Sequence, residues 1–215
     1  MLPQVRIDCN KRTPSAKRLL HARRAFINDK KQNMKKVYFI LMAFACLHRG
    51  MAQDIFITRH GQVSFFGKTP LENIDATNNE ASSVLNLQTG EIGFAVLIKS
   101  FHFEKALMEE HFNEDYMESN NIPKGSFKGK INNPSAINAG KDGSYPVTAT
   151  GDMVLHGVTQ KITVTGTIVI KNGLPQVLAK FKLAPKDYNI KIPSLVADKI
   201  AEYMNVSVDC KYEKK

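Results

Sequence analysis

Residues 145–168 read YPVTATGDMVLHGVTQKITVTGTI, two runs of period-two alternation that meet at His156-Gly157. Glycine supplies the positive φ that a two-residue hairpin turn needs, so this pair predicts a tight turn between two antiparallel strands. Leu155 should then oppose Val158. The same register gives four further pairs: Met153 with Gln160, Gly151 with Ile162, Ala149 with Val164, and Val147 with Gly166. Small residues thus face large ones, which predicts either a filled, tapered barrel interior or room for a slender ligand.

The alternation of the hairpin recurs in neighbouring segments. Runs with one apolar and one polar face are typical of strands with one solvated side. The clearest cover residues 94–99, 162–168, 177–183 and 204–211, and weaker ones cover residues 54–58, 62–66, 74–77, 82–87 and 125–132. Turn residues separate these runs at short intervals, as antiparallel sheets require. The chain is therefore predicted to be all-β.

One long helical pattern interrupts the strands, over residues 105–118. Met108, Phe112 and Tyr116 fall at i, i+4 and i+8, and Leu107 lies beside them. Four polar residues are predicted to face away: Glu109, Glu110, Asn113 and Glu114. An amphipathic helix of this kind packs its apolar stripe on a sheet, and it can also lie over one end of a barrel. A short second helix is expected over residues 194–201, with Ser194 as its N-cap.

The N-terminal part of the chain carries the pattern of a secretory signal peptide over residues 34–52. Lys35 and Lys36 form a basic head, residues 37–45 form an apolar run, and the small residues before Gln53 form a cleavage site. The apolar run is too short to span a bilayer, which needs about 20 residues. We therefore expect translation to begin at Met34, residues 1–33 to be an over-extended, disordered N-terminus, and residues 53–215 to form one domain.

The formal charge of +10 suggests a nucleic-acid partner only until its position is considered. Residues 1–33 hold nine Lys or Arg and two Asp, and residues 34–52 hold three basic residues. From Gln53 onward, 18 basic residues balance 18 acidic ones. The exported chain is neutral, and the basic segment has neither aromatic interleaving nor a helix-turn-helix context, so nucleic acid is not an expected partner.

The three cysteines are Cys9, Cys46 and Cys210. Only Cys210 lies in the predicted exported chain, so no internal disulfide can form there. Its place in a terminal strand pattern predicts a buried small hydrophobe. An alternative to cleavage before Gln53 is that Cys46 becomes a lipidated N-terminus. This alternative is less favoured, because residues 43–45 lack the Leu usual in a lipoprotein signal.

A search for catalytic or metal-binding patterns yields little. The sequence contains no H-E-x-x-H, C-x-x-C, G-x-S-x-G or glycine-rich phosphate loop. A metal site made by His102, His111 and Glu114 is the less favoured interpretation of those residues. We expect no catalytic residue, no metal and no cofactor, and an enzyme with an unmarked site stays an alternative.

The residues quoted above, together with FHFEKALMEEHFNEDYME at 101–118, IPKGSFKGKI at 122–131 and AKFKLAPKDYNIKIP at 179–193, resemble the YceI-like, polyisoprenoid-binding proteins of the bacterial envelope. The resemblance covers residues 54–212. It implies an extended, eight-stranded antiparallel lipocalin-like β-barrel, with the amphipathic helix and the short second helix. It also implies a long apolar cavity that holds an isoprenoid or another lipid chain.

These expectations define a candidate ligand site of inward aromatic and aliphatic residues. The predicted wall consists of Phe94, Val96, Phe101, Phe103, Phe112, Tyr116, Met117, Phe127, His156, Ile162, Val164 and Phe181. Tyr116, Tyr188, His156 and Lys161 are candidates to meet a polar head.

The function expected from this site is a secreted or periplasmic binding protein for an isoprenoid quinone or polyprenyl chain, with no transmembrane segment in the mature chain. The alternative is an envelope structural or protein-interaction module with a filled barrel. A homodimer is left open.

Overall fold

The computed structural model describes residues 55–193 and 200–215, and these residues form a sheet of ten strands and one short helix. The elements are β1 Ile55–Lys68, β2 Asn73–Asn86, β3 Glu91–Leu97, β4 His102–Phe103, α1 Ala106–His111, β5 Lys124–Ile131, β6 Gly143–Leu155, β7 Val158–Lys171, β8 Leu174–Leu183, β9 Met204–Lys211 and β10 Glu213–Lys214. Single helical turns occur at Ile98–Ser100, Phe112–Tyr116, Pro134–Ala136 and Pro185–Tyr188.

Eight of the strands close into an antiparallel barrel, which confirms the predicted fold class. They follow one another around the barrel in the order β1-β2-β3-β5-β6-β7-β8-β9. Closure comes from β1, which pairs with β2 along its length and with β9 from Gln62 to Phe66. Each of the two short strands pairs with one barrel strand, β4 with β2 and β10 with β1.

The central hairpin has the predicted register at every pair. Leu155 lies opposite Val158, Gly151 opposite Ile162 and Val147 opposite Gly166. His156 and Gly157 both have positive φ, 51° and 75°, as a tight hairpin turn with the twist of its strands requires. Gly151 also permits close packing, because a Cβ there would overlap the backbone of Gly129 in β5.

The first two strands are longer than the sequence pattern predicts. The segments at 54–58 and 62–66 belong to one strand, β1, and those at 74–77 and 82–87 belong to one strand, β2. Their pairing shifts register between Thr58 and Val63. An extra residue at such a bulge reverses which side chains face inward, so the period-two pattern breaks there although the strand continues. Ile98 and Lys99, predicted as the end of the strand over residues 94–99, instead lie in a 3₁₀ turn.

The helix predicted over residues 105–118 is shorter and irregular. Regular α-helix covers only Ala106–His111, and a π turn covers Phe112–Tyr116. Glu109 and Asn113, predicted to face away, are half-buried, because the Glu109 carboxylate accepts the Phe103 N–H and the Asn113 amide donates to the Glu109 carbonyl. The second helix predicted at 194–201 and the segments before residue 55 lie outside the described residues, save Ile200 and Ala201. Within the described residues, no helix is both long and apolar enough to cross a bilayer.

One end of the barrel is closed by a tightly packed core. Its buried members are Phe56, Leu85, Leu87, Ile92, Ile131, Ile168, Ile170, Val177, Cys210 and Tyr212. The Tyr212 hydroxyl lies 2.5 Å from Ser83 Oγ, and Ser83 donates its own proton to the Gly93 carbonyl at 2.7 Å. Tyr212 is therefore the donor to Ser83, and burial raises its pKa.

Cys210 lies in this closed end as the small buried residue that the sequence predicts. Its side chain is fully buried, and burial raises the pKa of its thiol to about 12. Gly61 makes room for it, because a Cβ at Gly61 would overlap Cys210 Sγ. The thiol is therefore protonated at neutral pH and packs as an apolar group.

Candidate functional site

Four phenylalanines from separate segments meet inside the barrel at the end opposite to the closed core. Phe65 comes from β1, Phe101 and Phe103 lie around β4, and Phe112 begins the π turn. In five of the six pairs, the ring centroids are 5.0 to 5.9 Å apart in tilted or edge-to-face arrangements. Such geometries are favourable for aromatic pairs, so this cluster forms a stable apolar wall.

This wall borders an apolar cavity of about 450 Å³. The cavity is also lined by aliphatic residues of β1, β3, β6, β8 and β9, and by Ile190, Ile192 and Ile200. Its volume lies in the range typical of small-molecule sites, about 300 to 1,000 Å³. We refer to it as the outer chamber.

The π turn determines which helical residues reach the outer chamber. Its i→i+5 bond runs from the Met117 N–H to the Phe112 carbonyl at 2.9 Å. The wider turn brings Met117 onto the face that Met108, Phe112 and Tyr116 already share, and all four line the chamber. Leu107 also lines it, although its side chain is 63% exposed.

The polar groups of the outer chamber lie at its exposed edge. Lys105 Nζ lies 2.8 Å from Glu72 Oε1, and that hydrogen bond and charge raise the Lys105 pKa. His111 donates from Nδ1 to Asp115 Oδ2 at 2.6 Å. Partial burial raises the pKa of the Tyr116 hydroxyl. Because Lys105, Leu107 and His111 are the exposed lining residues, we take this edge as the mouth of the chamber.

A second cavity of about 130 Å³ lies deeper, between the outer chamber and the closed core. We refer to it as the inner chamber. Five residues line both chambers and so mark the junction between them: Val63, Val96, Met153, Leu155 and Val206. The inner chamber is bounded on its far side by Ile92, Ile131, Ile168 and Val177, which belong to the closed core. Because the two chambers have lining residues in common, they are adjacent parts of the barrel interior, and the inner one is the smaller.

Eleven of the twelve predicted site residues line this interior. Those in the outer chamber are Val96, Phe101, Phe103, Phe112, Tyr116 and Met117. Those in the inner chamber are Phe94, Val96, Phe127, Ile162, Val164 and Phe181. The structure therefore brings together residues that are up to 87 positions apart in the chain, from Phe94 to Phe181.

The twelfth, His156, lines neither chamber. Its Nδ1 lies 3.2 Å from the carbonyl oxygen of Tyr188, which fixes the ring proton on that nitrogen. Its Nε2 is buried, with Glu118 Oε1 at 3.8 Å. His156 thus ties the hairpin turn to the Pro185–Tyr188 turn. Of the other candidates for a polar head, Tyr188 is buried outside both chambers, and Lys161 is exposed beside Asp152.

Sequence reasoning missed several lining residues. Phe65 lies at the centre of the aromatic cluster, but Phe66 beside it is also aromatic, so the short run over residues 62–66 does not show which of the two faces inward. The alternation Val63-Phe65-Gly67, extended one residue beyond the predicted run, would have found it. Ile190 and Ile192 lie in a loop, where no periodicity reports which side chains face inward.

The residues considered for a metal site do not converge. His102 Nδ1 lies 3.6 Å from Glu109 Oε2, whereas His111 pairs with Asp115. Across residues 55–193 and 200–215, no three or more His, Cys, Asp or Glu side chains are grouped as a metal would require.

A closed antiparallel barrel of eight strands, with an apolar interior and a helix beside its mouth, is a lipocalin-like barrel. The particular family follows from the sequence, because the model of the YceI-like domain matches residues 56–212. The chain belongs to the YceI-like family.

Solved structures show the same fold at low sequence identity. A polyisoprenoid-binding domain from Saccharophagus degradans, implicated in plant cell wall breakdown, is 12% identical with a TM-score of 0.64, over 76% of this chain and 99% of that one. BcnA from Burkholderia cenocepacia is 14% identical with a TM-score of 0.59, over 72% and 96%. The YceI protein of Campylobacter jejuni is 15% identical with a TM-score of 0.51, over 67% and 87%. No curated protein matches the chain.

Proposed function

We propose that this protein binds a single long-chain lipid, an isoprenoid quinone or polyprenyl chain, inside its barrel. The observation that carries the proposal is the apolar outer chamber of about 450 Å³, with the inner chamber of about 130 Å³ directly beside it. The family supports it, since a relative of the same fold is a polyisoprenoid-binding domain. The contacts proposed for the lipid are the eleven predicted residues that line the two chambers. His156 is left out because it lines neither.

The apolar character of the interior requires a long ligand. Burying one CH₂ contributes about 0.8 kcal/mol, whereas association costs about 4 to 15 kcal/mol. A chain of about five carbons therefore offsets only the smallest of these costs. A chain of about 20 carbons contributes about 16 kcal/mol, enough to leave a net affinity. An isoprenoid chain of several units meets this requirement.

The distribution of polar groups sets the direction in which the lipid lies. The side chains that line the inner chamber are apolar, with the exception of Ser126, which is an exposed residue. The outer chamber carries Glu72, Lys105, His111 and Tyr116 at or near its mouth. An unpaired polar head is costly to bury. We therefore place the head at the mouth and the far end of the chain in the inner chamber.

The location that we propose is the periplasm or the cell exterior. The support is the signal-peptide pattern of residues 34–52, which predicts a mature chain that begins at Gln53. A carrier that encloses an apolar chain within a neutral protein suits an aqueous compartment between or outside membranes.

The proposal is tested by a matched pair of neighbours in β3. Val96 lines both chambers, whereas Leu97 lies on the outer face and is 44% exposed. Val96→Phe should weaken the binding of geranylgeraniol to the delipidated protein by at least about tenfold, since that loss equals the burial of about two methylene groups. Leu97→Phe, which places the same ring on the outer face, should leave the affinity unchanged. Isothermal titration calorimetry measures both.

Equal affinities in Val96→Phe and the wild type would contradict a ligand inside the barrel. Absence of binding in the wild type, together with no lipid in an organic extract of the purified protein, would favour the structural or protein-interaction module instead.

A further inference from the structure

The side chains on the inward face of β7 are fully buried at one end of the strand and half-buried at the other. Ile162, Val164, Gly166, Ile168 and Ile170 alternate along this one face. Ile168 and Ile170 are each 1% exposed, whereas Ile162 and Val164 are half-buried and line the inner chamber. The transition falls at Gly166. The inner chamber therefore ends at a defined place along the strand.

Small residues on three adjacent strands create the space at this transition. Gly166 of β7 lies opposite Val147 of β6 and Ala179 of β8. Ala149 of β6 lies opposite Val164, one inward position nearer the mouth. Gly166 is not a suitable position for a test substitution, because a Cβ there would lie 2.7 Å from the Leu178 carbonyl oxygen and disturb the strand. Ala149 and Ala179 already carry a Cβ and line the inner chamber.

We propose that Ala149 and Ala179 set the longest lipid chain that the protein accepts, with Ile168 as the floor that stops the end of the chain. This inference rests on the proposed function and adds a length limit to it. The barrel interior admits the lipid from the mouth, so the far end of the chain reaches the inner chamber last. A larger side chain at Ala149 or Ala179 shortens the space available to the lipid chain, and a smaller one at Ile168 lengthens it.

The test is a chain-length profile of the full-length, delipidated protein. Farnesol, geranylgeraniol and solanesol are isoprenoid alcohols of increasing length that share one head group, so differences among them report only on the chain. Native mass spectrometry in competition measures their relative affinities. The wild-type profile identifies the longest alcohol that binds without loss.

Ala179→Phe should shift the profile toward shorter chains. The longest alcohol that the wild type binds well should bind at least about tenfold more weakly, as expected when about two methylene groups lose their burial. The affinity for a shorter alcohol should stay within about twofold of the wild type. Lys180→Phe is the matched control, since Lys180 is the exposed neighbour on the outer face of β8, and its profile should not change.

Ile168→Ala should act in the opposite direction and raise the affinity for solanesol relative to geranylgeraniol. If Ala179→Phe does not fold, Ala149→Leu should produce the same shift toward shorter chains. A profile that is unchanged in these variants, or that is weakened equally at every length, would overturn the length limit while the proposed function stands. A wild type that binds none of the three alcohols would overturn both.

Discussion

The two halves of the barrel interior are built from the same strands but packed in different ways. Ile170 lies in the closed half, is 1% exposed and lines neither chamber. Ile162, eight residues earlier on the same face of β7, is half-buried and lines the inner chamber. Protein interiors are normally packed without voids larger than water. The closed half follows that rule and stabilises the barrel, whereas the open half departs from it and leaves space for a ligand.

Truncation of these two isoleucines is expected to give the largest difference in stability between the two halves. Ile170→Ala should lower the free energy of unfolding by about 2 to 5 kcal/mol, because it opens a cavity in a packed core. Ile162→Ala should lower it by less than about 2 kcal/mol, because one side of that residue already faces a void. Urea denaturation of the delipidated protein measures both. Equal losses would mean that the two halves are packed alike.

A second effect concerns alkaline pH, because the closed half buries ionisable groups. The Cys210 thiol has a pKa of about 12, raised from its ordinary value of 9.0 by burial. The unfolded chain loses this proton first, so the stability contributed is complete below pH 9.0 and is lost as the pH rises toward about 12. A difference of one between the folded and unfolded pKa values corresponds to about 1.4 kcal/mol of stability. Cys210→Ala should therefore flatten the fall in stability above pH 9.0, as measured by urea denaturation across that range.

Tyr116 in the open half is the control for this experiment. Its pKa is also raised by burial, but it is only partly enclosed at the outer chamber. Tyr116→Phe should change the alkaline slope less than Cys210→Ala does. The reverse order would contradict the difference in burial between the two halves.

The smallest effects are expected from the polar pair that the closed half buries. Ser83→Ala leaves both the Tyr212 hydroxyl and the Gly93 carbonyl without this partner, and should cost about 1 to 3 kcal/mol of stability. Tyr212→Phe removes one hydrogen bond but leaves Ser83 bound to Gly93, and should cost about 0.5 to 1.5 kcal/mol. Denaturant titration ranks the two variants. A larger loss in Tyr212→Phe would contradict this assignment of donors, because the ring is retained and the hydroxyl would then contribute more than its one bond to Ser83.

The sequence predicts the fold well because its strands carry strict alternation and one turn that fixes a register. The pairing of β6 with β7 follows residue by residue from His156-Gly157. The same reasoning wrongly divides β1 into two strands, because a bulge near Gly61 reverses the inward face. It also fails at the helix, because nothing in a pattern of spacing distinguishes a π turn at Phe112 from regular α-helix.

The sequence predicts which residues line the candidate site. It does not predict that the barrel interior is divided into a packed half and a hollow half. Inward apolar residues such as Phe127 and Phe181 can be read from alternation alone. Whether such residues enclose a void depends on how side chains from eight strands fill one volume, and that is a property of the assembled barrel. The sequence therefore leaves a filled and a hollow barrel as alternatives, whereas the structure shows a barrel that is packed at one end and hollow at the other.

The most direct test of the account is mass spectrometry of the protein purified from the cells that make it, intact under native conditions and again after organic extraction. We predict one long-chain lipid per protein and a chain that begins at Gln53. A protein that carries no lipid under native conditions and yields none on extraction would contradict the claim that the hollow half of the barrel is a lipid site. A chain that retains residues 34–52 would contradict export.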